Sequence, residues 1–305
     1  MRLNGVNAKT GVSISMDLDF FVSFGVSGMP EFDFQSYVSC RRADGAHRPT
    51  RVQNYAYLED IERQRQLSDI HILHKALAIG LRAWRYTEGR RLQNSAVELN
   101  HQGVAHIVRT WADVCFAFSH DTLPIRIIPQ QQAFFEPYGS DDGIFFGLSG
   151  PACSLAVSQL KFLFGRGIGA LDNGHVTYLT LRRYVNGLTR GLLGIAEQVP
   201  EALLHWYRSA QITQDRAGLL ACRDISSAIF VLMKSELDWT DGEIMREIRR
   251  YHEKLDVDWG NDEIEKRIKA LELFASSRIY QKMGGNPIEQ VDAEVSKIFS
   301  FWKGK

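Results

Sequence analysis

Apolar residues recur every three to four positions over most of this chain, which is the spacing of amphipathic helices. The pattern occupies residues 52–118 and returns from residue 152 almost to the C-terminus. Residues 1–50 instead mix short apolar runs with Gly, Ser and basic turns, which indicates an N-terminal extension of short strands or loops. The predicted helices are Glu59–Leu67, Ile70–Tyr86, Ala105–Phe118, Ser154–Ala170, His175–Glu197, one that begins at Pro200, Asp262–Ser276 and Glu289–Trp302.

Between the two helical regions the pattern changes to short runs rich in β-branched and aromatic residues. These runs begin at Ile125, Ala133 and Gly143. The residues that separate them are Pro129, Pro137 and Gly139. The sequence therefore predicts a mainly α fold of the α+β class, with a small antiparallel or mixed sheet in the middle of the chain.

Length, composition and charge exclude several classes of function. The 305 residues allow one large domain or two modest ones, and 45% hydrophobic with 24% charged residues is ordinary for a soluble protein. The balance of 36 basic and 36 acidic residues gives no support to a nucleic-acid partner. No apolar stretch approaches the roughly 20 residues that span a bilayer, and the N-terminus lacks a signal-peptide core.

The cysteines indicate the compartment. Cys40, Cys115, Cys153 and Cys222 are widely spaced and form neither a CxxC pair nor a disulfide framework. A reduced, cytoplasmic environment is the expectation that follows. The chain also lacks a GxSxG elbow and a Walker loop.

Two segments carry the most specific pattern in the chain. Residues 160–170 read LKFLFGRGIGA, and residues 208–220 read RSAQITQDRAGLL. The first resembles LRFVLGHELGH and the second RxAELTADRAGLL, which are motifs of the HtpX-type zinc metallopeptidases of the CAAX-prenyl-protease group. The resemblance is clearest over residues 120–282. It implies a single zincin-like helical domain over residues 51–305.

The resemblance preserves the framework of the motifs but not their ligands. In the family, two His four residues apart on a helix bind zinc, and the Glu between them is the general base. Here Arg166 stands at the first His, Gly167 at the Glu, Ala170 at the second His and Gln211 at the third ligand, whereas Asp215 is kept. We call these five residues the degenerate site. Because Arg166, Gly167, Ala170 and Gln211 supply neither a good zinc ligand nor a base at the ligand and base positions, we expect no metal, no cofactor and no peptide-bond cleavage.

The preserved aspartate has two interpretations. In the family it orients a metal-binding His. Here Asp215 and its neighbour Arg216 could simply form ion pairs between packed helices. Alternatively, Arg166 places its own cation at the vacated metal position and pairs with Asp215, with the Gln211 amide nearby, since Arg suits planar carboxylate partners.

A second expectation concerns peptide binding. The resemblance implies that an edge strand lies beside the active-site helix and pairs with substrate backbone. The predicted peptide-binding groove along this strand consists of Gln132, Ala133, Phe134 and Phe135. The first three of these residues resemble the family's Asn-Ala-Phe. The expected function is therefore that of a pseudoenzyme that binds a peptide or protein partner, or serves as a scaffold or regulator. The sequence does not indicate the oligomeric state.

Three alternatives stay open. An enzyme could use the same cleft with a relocated metal or another new catalytic constellation; the nearest candidates for such a metal are Asp172, His175 and His205. The chain could instead be a structural or chaperone-like subunit of a bacterial assembly. Residues 165–170 also match the dinucleotide fingerprint GxGxxA, although that motif requires a preceding strand and an acidic residue about 20 positions later, and residues 186–191 contain no acid.

The glycines of the first motif predict an unusual helix. Gly165, Gly167 and Gly169 lie inside a helical pattern, where each costs ~0.5–1 kcal/mol relative to Ala. Either close packing compensates for this cost, or the helix is distorted there.

Overall fold

The structure, a computed structural model, describes residues 3–6, 13–16, 55–69, 97–98, 105–128, 132–140, 143–185, 198–281 and 285–300. Its helices are α1 Leu58–Ser68, α2 Ala105–Ala117, α3 Val157–Asp172, α4 Val176–Val185, α5 Gln198–Cys222, α6 Ile225–Glu236, α7 Asp241–His252, α8 Asp262–Ala275, α9 Arg278–Gln281 and α10 Ile288–Ser300. Its strands are β1 Leu3–Val6, β2 Ser13–Met16, β3 Val97–Glu98, β4 Ile125–Ile128, β5 Phe135–Ser140 and β6 Gly143–Ser149. The predicted mainly α fold with a small sheet is confirmed.

The sheet in the middle of the chain is mixed. Its strand order is β3-β4-β6-β5. The β4–β6 pair is parallel, and the other two pairs are antiparallel. Among the described strands, β5 therefore lies at an edge. The separate pair β1–β2 is antiparallel.

Strand β5 corrects one detail of the sequence analysis. Pro137 and Gly139, predicted to separate strands, both lie inside it. The N–H of Ser149 donates to the C=O of Phe134 at 2.9 Å. Because successive residues of an antiparallel strand turn their backbone groups to opposite sides, Phe134 and Glu136 face β6 and the nitrogen of Pro137 faces the edge. No ladder hydrogen bond is lost there, which is why an edge strand tolerates proline.

Helices α3 and α5, which carry the two motifs, are in unusually close contact. A Cβ on Gly165 would lie 2.7 Å from the carbonyl oxygen of Ala217, and one on Gly169 would lie 2.6 Å from the Cβ of Ala217. Only glycine permits this approach of the two backbones. Close packing is therefore the outcome, and α3 is α-helical along its whole length.

The same helix excludes dinucleotide binding through the GxGxxA match. A 3₁₀ turn, Pro151–Ser154, precedes α3 in place of a strand. The glycines lie in the buried helix interior rather than at a strand-to-helix turn. Helix α3 also begins at Val157, three residues later than predicted, and the side chain of Gln159 accepts a hydrogen bond of 2.9 Å from the N–H of Ala156 at its start.

Other boundaries agree closely with the periodicity. Helix α5 begins at Gln198, which places Pro200 in the first turn. The predicted segments Ile70–Tyr86 and 186–197 lie outside the described residues. Within the described parts of the chain, no helix is long and apolar enough to cross a bilayer.

An aromatic cluster fixes the sheet against α3. The rings of Phe135 and Phe146 stack with centroids 4.9 Å apart, and Phe164 of α3 lies 4.6 Å from Phe135. Trp111 of α2 lies 4.8 Å from Phe146. These contacts, each worth ~0.5–1.5 kcal/mol beyond burial, place edge strand β5 beside the helix that carries Arg166.

Candidate functional site

The predicted ion pair at the centre of the degenerate site is present. Nε of Arg166 on α3 lies 2.9 Å from Oδ1 of Asp215 on α5, and their side chains are only 10% and 1% exposed. Although the two atoms are close, Nε makes no hydrogen bond, which means that its N–H does not point at the oxygen. The contact is therefore electrostatic rather than a charge-assisted hydrogen bond.

The stronger partner of Asp215 is a residue that the sequence analysis did not assign. Arg267 of α8 donates from Nε and Nη2 to the two oxygens of Asp215 at 2.8 and 2.9 Å, and its Nη1 donates to Glu236 at 2.9 Å. Burial alone would lower the pKa of Arg267, but the charge and hydrogen bonds of Asp215 raise it. Two arginines and two carboxylates thus form one connected network.

Arg216 confirms the interpretation of helix-packing ion pairs. It is fully buried and donates to Asp292 of α10 at 2.6 Å and to the C=O of Tyr55 at 3.3 Å. Burial lowers the pKa of Arg216, and the charge of Asp292 opposes that change. Both charged residues of the Asp-Arg motif therefore join α5 to other helices.

Gly167 stands where the resembling family has its general base, and no side chain can fit there. A Cβ at this position would lie 2.6 Å from the ring of Phe135 and 3.0 Å from the ring of Phe146. Both rings belong to the aromatic cluster between α3 and the sheet. The space that a glutamate would need is therefore filled by the core.

Ala170 and Gln211, the remaining two residues of the degenerate site, are also buried, and their neighbours are not metal ligands. Ala170 packs in an apolar cluster with Leu179 and Trp206. Gln211 is 4% exposed, and its Nε2 donates to the hydroxyl of Tyr207 at 3.2 Å, while its Oε1 is buried without a hydrogen-bond partner.

These residues do not fit a zinc ion. Position 166 holds a cation, position 170 has no donor atom, and position 211 has a neutral amide that already contacts Tyr207. A tetrahedral zinc site requires thiolate, imidazole or carboxylate ligands. Across the part of the chain that the structure describes, no group of three or more His, Cys, Asp or Glu side chains could hold a metal.

The candidates for a relocated metal have separate partners. Nε2 of His175 lies 2.9 Å from Oδ2 of Asp60 in a fully buried pair. Asp172 accepts a hydrogen bond of 3.0 Å from the hydroxyl of Tyr55. His205 is 38% exposed on α5. His175 and Asp172 therefore bind other protein side chains, and His205 lies at the surface.

A cleft opens beside the degenerate site. Its volume is about 170 Å³, below the roughly 300–1,000 Å³ of pockets that enclose drug-sized ligands. It joins the predicted groove to Arg166, as the resemblance implied. We call it the Arg166 cleft; its lining residues are Gln132, Ala133, Phe134, Phe135, Glu136, Leu163, Arg166, Tyr207, Ser235 and Glu236.

A larger cavity of about 430 Å³ lies elsewhere, between α1, α5 and α10. Its charged lining groups are partly engaged, since Arg63 pairs with Glu59 and Asp292 pairs with Arg216. None of the five degenerate-site residues lines it. Its size alone does not indicate a function.

Similarity to known proteins is limited to one region of the chain. No family model matches the sequence, and no solved structure matches it. One relative, the plastoglobule-localized metallopeptidase 48, chloroplastic, of Arabidopsis thaliana, is 36% identical over 87 residues. The match covers 26% of this chain and 24% of the relative. A metallopeptidase-like relationship is supported to that extent, whereas the resemblance to HtpX-type enzymes in particular stays a hypothesis.

Proposed function

We propose that this protein is a catalytically inactive, cytoplasmic metallopeptidase-like protein that binds an extended segment of a peptide or protein partner in the Arg166 cleft. The observation that carries the proposal is the geometry of the cleft. It places an edge strand beside the former catalytic helix while the positions of the zinc ligands and the base are filled by other groups.

The inactivity rests on two contacts. The ion pair of Arg166 with Asp215 occupies the position of the first metal ligand. The ring of Phe135 covers Gly167, so that no carboxylate can reach a water molecule from there. Without zinc ligands at positions 166, 170 and 211 and a carboxylate at position 167, the site lacks the groups with which the resembling family generates a zinc-bound hydroxide.

The binding role rests on the orientation of β5. Because Phe134 turns its C=O toward β6, the N–H and C=O of Phe135 point to the opposite side of the strand. No described residue forms a hydrogen bond with the N–H or the C=O of Phe135 on that side of the strand. An extended segment can add to such an edge through main-chain hydrogen bonds.

The alternative of an enzyme with a relocated metal or another catalytic constellation gains no specific support. The described residues that line the Arg166 cleft include neither His nor Cys. Its ionisable groups are Glu136, Arg166, Tyr207 and Glu236.

A panning experiment tests the proposal. A library of random 12-residue peptides, displayed through their C-termini, is selected on the wild-type protein and on Ser235→Trp, which places a bulky ring in the cleft. Asp256→Trp, on an exposed loop, is the matched control. We expect peptides selected on the wild type to bind the control equally and Ser235→Trp poorly. Equal binding to all three proteins would refute a role for this cleft.

A further inference from the structure

The guanidinium of Arg166 is only partly used by the protein. Arg has five N–H donors, and the described contact of Arg166 is the one between Nε and Asp215. Asp215 in turn gives both oxygens to Arg267. The terminal amino groups of Arg166 therefore have no hydrogen-bond acceptor among the described residues, although the side chain is nine-tenths buried and lines the cleft.

The charge around this guanidinium argues against an anionic ligand. Arg166 and Arg267 are balanced by Asp215 and Glu236 in the same network. A ligand carboxylate would approach the carboxylates of Asp215 and Glu236, whereas a neutral carbonyl oxygen meets the donors of Arg166 without that repulsion.

The neighbouring backbone shows where such a carbonyl would come from. Phe135 lines the cleft and is only 2% exposed, and its N–H and C=O are turned away from β6. Buried backbone groups without partners cost free energy. Pairing farther along this edge is limited, because Pro137 has no N–H and the C=O of Gly139 accepts from Thr180 at 3.2 Å.

We propose that Arg166 receives a backbone carbonyl oxygen of an extended, uncharged peptide segment that pairs with Phe135. The guanidinium of Arg166, which stands at the position of the family's first His, thus binds peptide backbone. This inference rests on the proposed function, and it adds that the terminal amino groups of Arg166 are the principal donors. The short pairing and the volume of about 170 Å³ limit the recognised part to a few residues.

The test uses the 12-residue peptides enriched on the wild type, synthesised with acetylated N-termini and amidated C-termini. Arg166→Met should raise their Kd about tenfold or more, the size expected for hydrogen bonds to a charged group. Arg166→Gln, which keeps N–H donors, should lose less. In both variants Asp215 still forms its two hydrogen bonds with Arg267. Thermal unfolding checks that both variants fold.

The outcomes separate this inference from the proposed function. If Ser235→Trp abolishes binding but Arg166→Met does not weaken it, the cleft binds peptides and the role of Arg166 is wrong. The inference is also wrong if binding requires a free C-terminal carboxylate. A measurement on the wild type is independent of any variant: hydrogen exchange at the Phe135 amide should slow when an amidated peptide is added, and an unchanged rate would overturn the proposal.

Discussion

Replacing Asp215 by alanine should destabilise the protein more than any loss of a surface ion pair. The change removes two charge-assisted hydrogen bonds to Arg267 and the contact with Arg166. Arg267 is 2% exposed and cannot shed its charge. Breaking a buried pair by removing one partner costs ~3–5 kcal/mol. Because Glu236 still pairs with Arg267, we expect about 3 kcal/mol, at the lower end of that range.

Urea denaturation measures this loss of unfolding free energy. The slope of the unfolding free energy against urea concentration should be the same for the variant and the wild type. The matched control is Glu265→Ala on the same helix as Arg267, where the exposed pair with Lys269 should contribute less than ~1 kcal/mol. Double-mutant cycles should give Asp215 a larger coupling energy with Arg267 than with Arg166, because only Arg267 forms hydrogen bonds to it. A loss no greater than that of the control, or a larger coupling with Arg166, would refute the reasoning.

Three further predictions concern the degenerate site. Gly167→Ala should lower the thermal unfolding temperature, because the new Cβ meets Phe135 at 2.6 Å, whereas Gly242→Ala should not, because its nearest neighbour is 4.0 Å away. Metal analysis of protein purified without chelators should find no stoichiometric zinc; one zinc per chain would contradict the account. The variant that restores the family motif should unfold at a lower temperature than the wild type and should not cleave casein, whereas chelator-sensitive cleavage would show that the site is intact. Its substitutions are Arg166→His, Gly167→Glu, Ala170→His and Gln211→Glu.

The sequence was sufficient for the features that depend on local pattern. Periodicity located most of the predicted helices that the structure describes to within three residues, and the short β-rich runs predicted β4, β5 and β6. Strand β3 was not predicted, because it lies within the region 52–118 that has a helical pattern. The two motifs also indicated that α3 and α5 would meet, which brings Arg166 to Asp215. Pro137 was misread because its effect depends on whether a strand lies at an edge, a property of the assembled sheet.

The missing parts depend on long-range packing. Arg267 lies 52 residues from Asp215, and it belongs to neither of the two motifs. Nothing in the motif around Gly167 shows that Phe135 fills the space beside it. The balance of charges in the Arg166 cleft likewise follows from four helices and one strand meeting at one place.

The central claim is that the Arg166 cleft binds peptide segments without cutting them. The most direct measurement is mass spectrometry of the peptides recovered from a capped 12-residue library after incubation with wild-type protein, added zinc and no chelator. The account predicts that intact peptides are retained by the wild type and by Asp256→Trp but lost from Ser235→Trp. Recovery of cleaved products that disappear on adding a chelator, or equal retention by all three proteins, would contradict it.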